Sequence, residues 1–271
     1  MTFPNLVEGT YRTEPRRVSW FSRLFPGVSF FCQFAAIVLR SSSRAKRGQY
    51  DSQAWSDSSW DVLHALESVG IEFEVSGLEN VENLESPCLL VGNHMSTLET
   101  NILPGLVQPF REVTFVVKAS LINYPVFRHV MRSRDPIAVT QTDPRQDFKT
   151  MMTGGVERLR KGISLFVFPQ GQRTTTFAPS EFNTIGIKLA RKAGVPIVPV
   201  ALLTDAWGLG KWISDVGKID PSKKVHFAFG KPIKVQGRGT EEQQEILEFI
   251  DEHLAKWKAE RGEGNCQKDG C

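Results

Sequence analysis

The residues best suited to moving a proton lie in one short stretch, Val91 to Thr100, which reads Val-Gly-Asn-His-Met-Ser-Thr-Leu-Glu-Thr. Within it His94 is followed by Glu99. An imidazole held in one tautomer by a carboxylate is a general base near neutral pH. In one straight helix five residues turn through about 500°, leaving two such side chains roughly 140° apart. The two therefore meet only if His94 sits in a loop and Glu99 in the first turn of the helix that follows. The apolar run Cys88 to Val91 predicts a buried strand just before them, and strand ends are where open α/β sheets place their sites. Helix capping is an equally good account of the acid, because Ser96 to Glu99 fits a capping box with Ser96 as N-cap and Glu99 at N3.

Three further blocks carry residues that a plain turn does not need: Lys118-Ala119-Ser120-Leu121, Phe168-Pro-Gln-Gly-Gln-Arg-Thr174 and Val195-Pro-Ile-Val-Pro-Val-Ala201. The elements around them alternate. Strands are predicted at Ile71–Val75, Val113–Val117, Ser164–Phe168, Ile197–Leu203 and Val225–Phe229. Helices are predicted at Trp60–Val69, from Glu99 to Leu106 with a bend or end near Pro104, at Phe148–Lys161, at Thr184–Ala193 closed by Gly194, and at Glu241–Glu260 opened by Thr240 with Gln243 three residues on. The alternation predicts an α/β fold: a single, mostly parallel sheet flanked by helices.

With 271 residues and 41% hydrophobic content the chain can bury one large core or two small ones, and a net charge of +3 with its basic residues dispersed does not argue for nucleic acid. Cys32, Cys88, Cys266 and Cys271 have no metal-ligand spacing and fit a reducing compartment. No secretory signal is expected. Neither a Gly-Lys-Ser/Thr phosphate loop nor a Gly-x-Ser-x-Gly elbow occurs. His64, His129, His226 and His253 read as ordinary structural or surface residues.

Residues 1–59 read as an N-terminal extension, 60–260 as the main domain and 261–271 as a flexible polar tail. The extension holds a Phe-rich apolar segment, residues 20–39, and a serine-rich polar linker, Ser41 to Ser59. The charge-free part from Leu24 to Leu39 is about 24 Å long as a helix, short of the roughly 30 Å hydrocarbon core. It reads as a helical segment that associates with a membrane surface without a full span, a core helix being the alternative.

Taken in order, the four blocks resemble the glycerolipid acyltransferase family, which includes 1-acylglycerol-3-phosphate acyltransferases and, more distantly, tafazzin. Asn93, His94 and Glu99 follow the family's Asn-His-x4-Asp motif with Glu for Asp, Phe168 to Thr174 follow Phe-Pro-Glu-Gly-Thr-Arg-Ser except at Gln170, Gln172 and Thr174, and Val195 to Val200 match Val-Pro-Ile-Val-Pro-Val throughout. The resemblance implies a membrane-associated O-acyltransferase facing the cytoplasm. It would transfer a fatty acyl group from acyl-CoA or acyl carrier protein, as co-substrate and without a further cofactor or metal, to a lysophosphatidic acid-like acceptor. His94 would be the general base oriented by Glu99, and Asn93, Lys118, Gln170, Gly171 and Arg173 would bind substrate, Arg173 taking the phosphate.

The departures bear on the acceptor. Gln170 replaces a carboxylate, and the place of the family's phosphate-binding arginine after a strand falls on Gln141, with Arg145 or Arg134 as substitutes. Two other readings follow from them: an acyltransferase for a different lysolipid, or a catalytically decayed lipid-binding scaffold on the same fold.

Overall fold

A computed structural model describes residues 6–7, 9–210 and 215–263. β1 (Leu6–Val7) and β2 (Thr10–Arg12) form a hairpin, followed by helices α1 (Trp20–Leu24), α2 (Pro26–Lys46) and α3 (Ser52–Glu67). Next come β3 (Phe73–Ser76), the short α4 (Glu79–Glu82), β4 (Leu89–Gly92), α5 (Thr97–Val107) and β5 (Val113–Lys118). Helices α6 (Ala119–Ile122) and α7 (Phe127–Ser133) lead to β6 (Ile137–Val139), α8 (Pro144–Arg160) and β7 (Ser164–Val167). The chain closes with α9 (Ile185–Ala193), β8 (Ile197–Leu203), β9 (Val225–Phe229) and α10 (Thr240–Glu260).

The strands lie in the order β1-β2-β3-β9-β8-β4-β7-β5-β6. Among the described residues β3/β9, β8/β4, β4/β7, β7/β5 and β5/β6 pair parallel, whereas β1/β2, β2/β3 and β9/β8 pair antiparallel. The sheet is thus mixed α/β rather than nearly all parallel, because the extension supplies two edge strands and β9 runs back along β8. From β4 the chain crosses β7 to reach β5, and from β7 it crosses β4 to reach β8. That reversal is a topological switch point, and it opens a crevice at the carboxyl ends of β4 and β7.

Both faces of the central strands are covered. Leu90, Phe166, Val198, Val200 and Leu202 face a core shared with α2, α3 and α5, while Leu89, Val91, Leu165, Val167, Ile197 and Ala201 face a second core under α8, α9 and α10. Burial on both sides is why these strands read as unbroken apolar runs. Helix α5 continues through Pro104 to Val107.

Two parts of the extension differ from their sequence reading, and a third feature ties it to the domain. Residues 41–59 are not a linker: α2 runs to Lys46, Asp51 caps α3 by accepting from the Ala54 amide (2.8 Å), and position 60 falls inside α3. The serines are packing residues. Ser41, Ser42, Ser56 and Ser59 are buried, and α3 meets α5 so closely that a Cβ on Gly105 would lie 3.0 Å from the Ser59 side chain. Second, α2 belongs to the core: Phe30, Phe31 and Phe34 surround Trp207 with ring centroids 4.8, 5.8 and 5.2 Å away. Each pair contributes about 0.5–1.5 kcal/mol beyond its buried area. Third, Glu67 clamps the N-terminal segment to α3, accepting from Tyr11 (2.7 Å), Thr13 (2.7 Å), Arg16 (2.7 Å) and His64 (3.0 Å).

Two details at the other end also differ. Gln243 does not close a capping box with Thr240; the cap is Gly239, and Gln243 donates to the Phe182 carbonyl (3.2 Å). Arg261 is no fraying tail residue, since its guanidinium meets Asp205 (2.7 Å) and the Lys224 carbonyl; residues 264–271 lie outside the described part.

His226 on β9 is buried and stacks on Trp257 at 4.9 Å. Burial, helped by the charges of Lys224, Arg261 and Lys256 and opposed by Glu74, pushes its pKa down to about 4. The folded protein therefore holds it neutral, while the unfolded chain takes up a proton below about pH 6.5. Unfolded chains bind more protons between these values, so stability falls as pH drops through that window. Urea unfolding of the His226→Phe variant should show a smaller loss between pH 7 and 5 than the parent; an equal loss would place the titration elsewhere.

Candidate active site

The site is built where β4 leaves the sheet. A Cβ on Gly92 would come within 2.6 Å of the Val200 carbonyl, so only glycine lets β4 run this close to β8. Asn93 then extends the pairing through its side chain: its amide nitrogen donates to the Leu202 carbonyl (2.8 Å) and its amide oxygen accepts from the Leu202 amide (2.9 Å). Asn93 is buried, and both ends of its amide are occupied. Its side chain is a pin between β4 and β8.

The pinned chain turns out of the sheet at His94, and Glu99 lies in the first turn of α5. The imidazole Nδ1 is 2.8 Å from Glu99 Oε1. Glu99 is fully buried and also accepts from the amides of Met95 (2.6 Å) and Ser96 (2.8 Å), and from the hydroxyls of Ser96 (2.9 Å) and Thr204 (2.6 Å). Burial pushes this carboxyl up, but the hydrogen bond and charge of His94, with the bonds from Thr204 and Ser96, hold it below the usual carboxylate range. The α5 N-terminus favours the anion as well. An ionised carboxylate only accepts, so the Nδ1 facing it carries the proton, and in the neutral ring the lone pair is on Nε2. One imidazole face stacks on Phe168 at 4.4 Å and 12°. The ring is therefore oriented at its edge and on its face. The capping box is present too, so the acid serves both purposes.

The loop after β7 is laced to the same turn. Gln170 Oε1 accepts from the His94 amide (2.9 Å), its Nε2 donates to Thr174 (2.9 Å), and the Thr174 amide donates to the His94 carbonyl (2.9 Å). Both ends of Gln170 are thus engaged in holding the loops together. Gly171 adopts φ 71° with open space around a notional Cβ, so glycine is needed for the left-handed turn alone. Arg173 reaches across to α5, touching Thr97, and pairs with Asp215 (2.7 Å).

The other candidates separate by position. Lys118 ends β5 at the same sheet edge, exposed, two strands from β4. Gln141 lies beyond β6 at this edge, and its amide donates to the Gly171 carbonyl (3.0 Å). Arg145 is exposed in the first turn of α8 nearby. Arg134 precedes β6 and so sits at the opposite end of the sheet, donating to the Tyr50 carbonyl (2.8 Å) and lying over Trp55; it cannot stand in for the missing arginine. Thr204 and Asp215 were not legible. Thr204 follows an apolar strand and Asp215 lies in a loop, and neither carries a motif. Among the described residues no group of His, Cys, Asp and Glu could hold a metal ion.

An oriented imidazole with a free Nε2, a buried acid behind it and an arginine across the crevice suits proton abstraction from a hydroxyl beside an anionic group. A family model described as Acyltransferase matches residues 72–203. The chain is 30% identical over 191 residues to a 1-acyl-sn-glycerol-3-phosphate acyltransferase of Pseudomonas aeruginosa, covering 70% of each. It belongs to the acyltransferase family. A chloroplastic 1-acyl-sn-glycerol-3-phosphate acyltransferase of Brassica napus is 31% identical over 138 residues, 51% of this chain and 38% of that protein. The crystal structure of the 1-acyl-sn-glycerophosphate acyltransferase PlsC from Thermotoga maritima shares the fold, with a TM-score of 0.65 at 19% identity over 88% of this chain and 96% of that one. In this acyltransferase the matched span holds His94, Glu99, Lys118 and Arg173, and excludes α1, α2 and Asp215.

Glu99→Gln turns an amide nitrogen toward buried donors. The variant should lose more than about tenfold in kcat, as when an imidazole loses its orienting charge. It should also lose about 2–4 kcal/mol of stability from leaving buried donors unpaired. Thr204→Val, which removes one donor, should cost less in both acyl-transfer and urea-unfolding measurements.

Proposed function

We propose that this acyltransferase moves a fatty acyl group from the thioester of acyl-CoA or acyl carrier protein to the free hydroxyl of a 1-acylglycerol 3-phosphate-like acceptor. The observation that carries the reading is His94, fixed by Glu99 and Phe168 with Nε2 facing away from the acid. Nε2 takes the hydroxyl proton as the oxygen attacks the thioester carbonyl, and Glu99 stabilises the imidazolium. The tetrahedral adduct collapses, the C–S bond breaks, and the leaving thiolate takes the proton back from Nε2. No acyl-enzyme is required. Arg173 supplies the fixed positive charge for the acceptor phosphate, with Lys118 at the same sheet edge as a second cation.

His94→Ala should abolish turnover of labelled acyl-CoA with lysophosphatidic acid while circular dichroism stays that of the parent. Product mass spectrometry identifies the acceptor. Retained turnover would remove His94 as the base.

The same reading includes contact with a bilayer surface. No described helix is long and apolar enough to cross a membrane. Trp20, Leu24 and Val28 are 76%, 63% and 56% exposed, and Val28, Cys32, Ala35, Ala36 and Leu39 form an uncharged exposed stripe at helical spacing along α2. Arg17 and Arg23 flank it. The opposite face of α2 is core, so truncating residues 1–45 would damage the fold, and surface substitutions are the better test. Trp20→Ser with Leu24→Ser should weaken cosedimentation with phosphatidylethanolamine/phosphatidylglycerol vesicles by about tenfold or more. Activity on detergent-dispersed acceptor should persist. Undiminished vesicle binding would move the contact elsewhere, though not to Trp207, which is buried; Trp212 lies outside the described residues.

A further inference from the structure

Arg173 is already engaged by an anion of the protein's own. Its Nη1 donates to Asp215 Oδ1 (2.7 Å), the Thr97 hydroxyl donates to the same oxygen (2.8 Å), and Arg173 and Thr97 touch each other. Thr97 is the first residue of α5, the helix whose first turn also carries Glu99. A carboxylate thus sits on a guanidinium and a hydroxyl at a helix N-terminus, surroundings that suit a phosphate equally well.

The two acids at this helix start differ in freedom. Glu99 is fully buried, whereas the Asp215 side chain is 43% exposed and can swing outward. Its backbone is held at one point. The Asp215 carbonyl accepts from Trp207 Nε1 (3.1 Å), and Trp207 is buried beneath Phe30, Phe31 and Phe34. Asp215 is therefore a tethered anion with a movable carboxylate, competing for Arg173 at the high effective concentration of an intramolecular group.

We infer that Asp215 sets headgroup selectivity by occupying Arg173 until an acceptor bearing a phosphate monoester displaces it; the inference rests on the reading of Arg173 as the phosphate-binding residue. A monoester dianion brings a second charge and three terminal oxygens, and outcompetes one carboxylate. A phosphodiester headgroup brings a single charge and two terminal oxygens. It offers Arg173 no more than Asp215 already does, and it lacks the tether. Rejection thus comes from a repulsive and occupied position, not from the shape of a pocket.

The test compares the full-length parent, Asp215→Asn and Asp215→Glu on lysophosphatidic acid and on lysophosphatidylglycerol, with the same acyl-CoA. The readout is the ratio of kcat/KM between the two acceptors. In Asp215→Asn the ratio should fall by about tenfold or more, chiefly through a lower KM for the diester, as expected when a charged competitor for one charge-assisted hydrogen bond is removed. Asp215→Glu keeps the charge and should keep the parent's preference. An unchanged ratio in Asp215→Asn, or an equal loss on both acceptors, overturns the inference and leaves the acyltransferase reading intact. A parent that acylates neither acceptor overturns both.

Discussion

The buried carboxylate of Glu99 is the constraint around which the site is organised. Moving an ionised carboxyl out of water costs several kcal/mol. Here that cost is offset by five donor groups: His94 Nδ1, the Met95 and Ser96 amides, and the Ser96 and Thr204 hydroxyls. Four come from the turn that carries His94, and one from just beyond β8. The donors converge only if β4 and β8 keep their register, with Gly92 opposite Val200, and if Asn93 locks onto Leu202. The charge thus contributes less to net stability than to uniqueness, because any slip of β4 against β8 strands a buried anion. Capping and orientation are one arrangement, since Oε1 accepts from both the Ser96 amide and the imidazole.

Two acids meet the first turn of α5 in different ways. The helix N-terminus favours anions; Glu99 lies within the turn, and Asp215 reaches the Thr97 side chain from a separate loop. The buried one cannot leave without unfolding the turn, so it is a permanent partner for His94. The exposed one is held by the charge of Arg173 and the Thr97 hydroxyl. One helix start therefore meets a buried acid of its own and a partly exposed acid from a distant loop.

What was legible in the sequence follows from what local pattern records. Strands β4, β7 and β8 stand out because burial on both faces leaves them almost wholly apolar, Ser164 at the start of β7 being the polar residue among them, and the loop position of His94 follows from helical geometry alone. Residues 41–59 misled because small serines suit both a linker and a tight helix contact, and only the partners, Gly105 among them, separate the two. Asn93 and Gln170 stand out in the sequence because they lie in motifs. That their amides join β4 to β8 and one loop to the other is a pairing of distant segments that no single segment reveals. Arg134 and Arg145 are both basic residues near β6, yet one precedes the strand and the other follows it, so parallel topology sends them to opposite ends of the sheet. Thr204 and Asp215 act by meeting residues more than a hundred positions away, Glu99 and Thr97, and carry no local signature.

Helix α2 shows why composition cannot separate core from membrane contact. Its Phe-rich sequence is apolar on both sides: Phe30, Phe34 and Ile37 fill the core, while Val28, Cys32, Ala35, Ala36 and Leu39 remain exposed. Its exposed stripe is what the proposed bilayer contact would cover, while its other face is already covered by the core. A lipid with two acyl chains leaves water at about 0.8 kcal/mol per methylene, and an enzyme that releases such a product into the aqueous phase would be slowed by that step. The core face of α2 bears on Trp207, Trp207 holds the backbone of Asp215, and Asp215 meets Arg173. The helix that presents the apolar stripe is thus linked through Trp207 and Asp215 to Arg173, so on the proposed function the polar and apolar ends of one lipid would be met by connected parts of the fold.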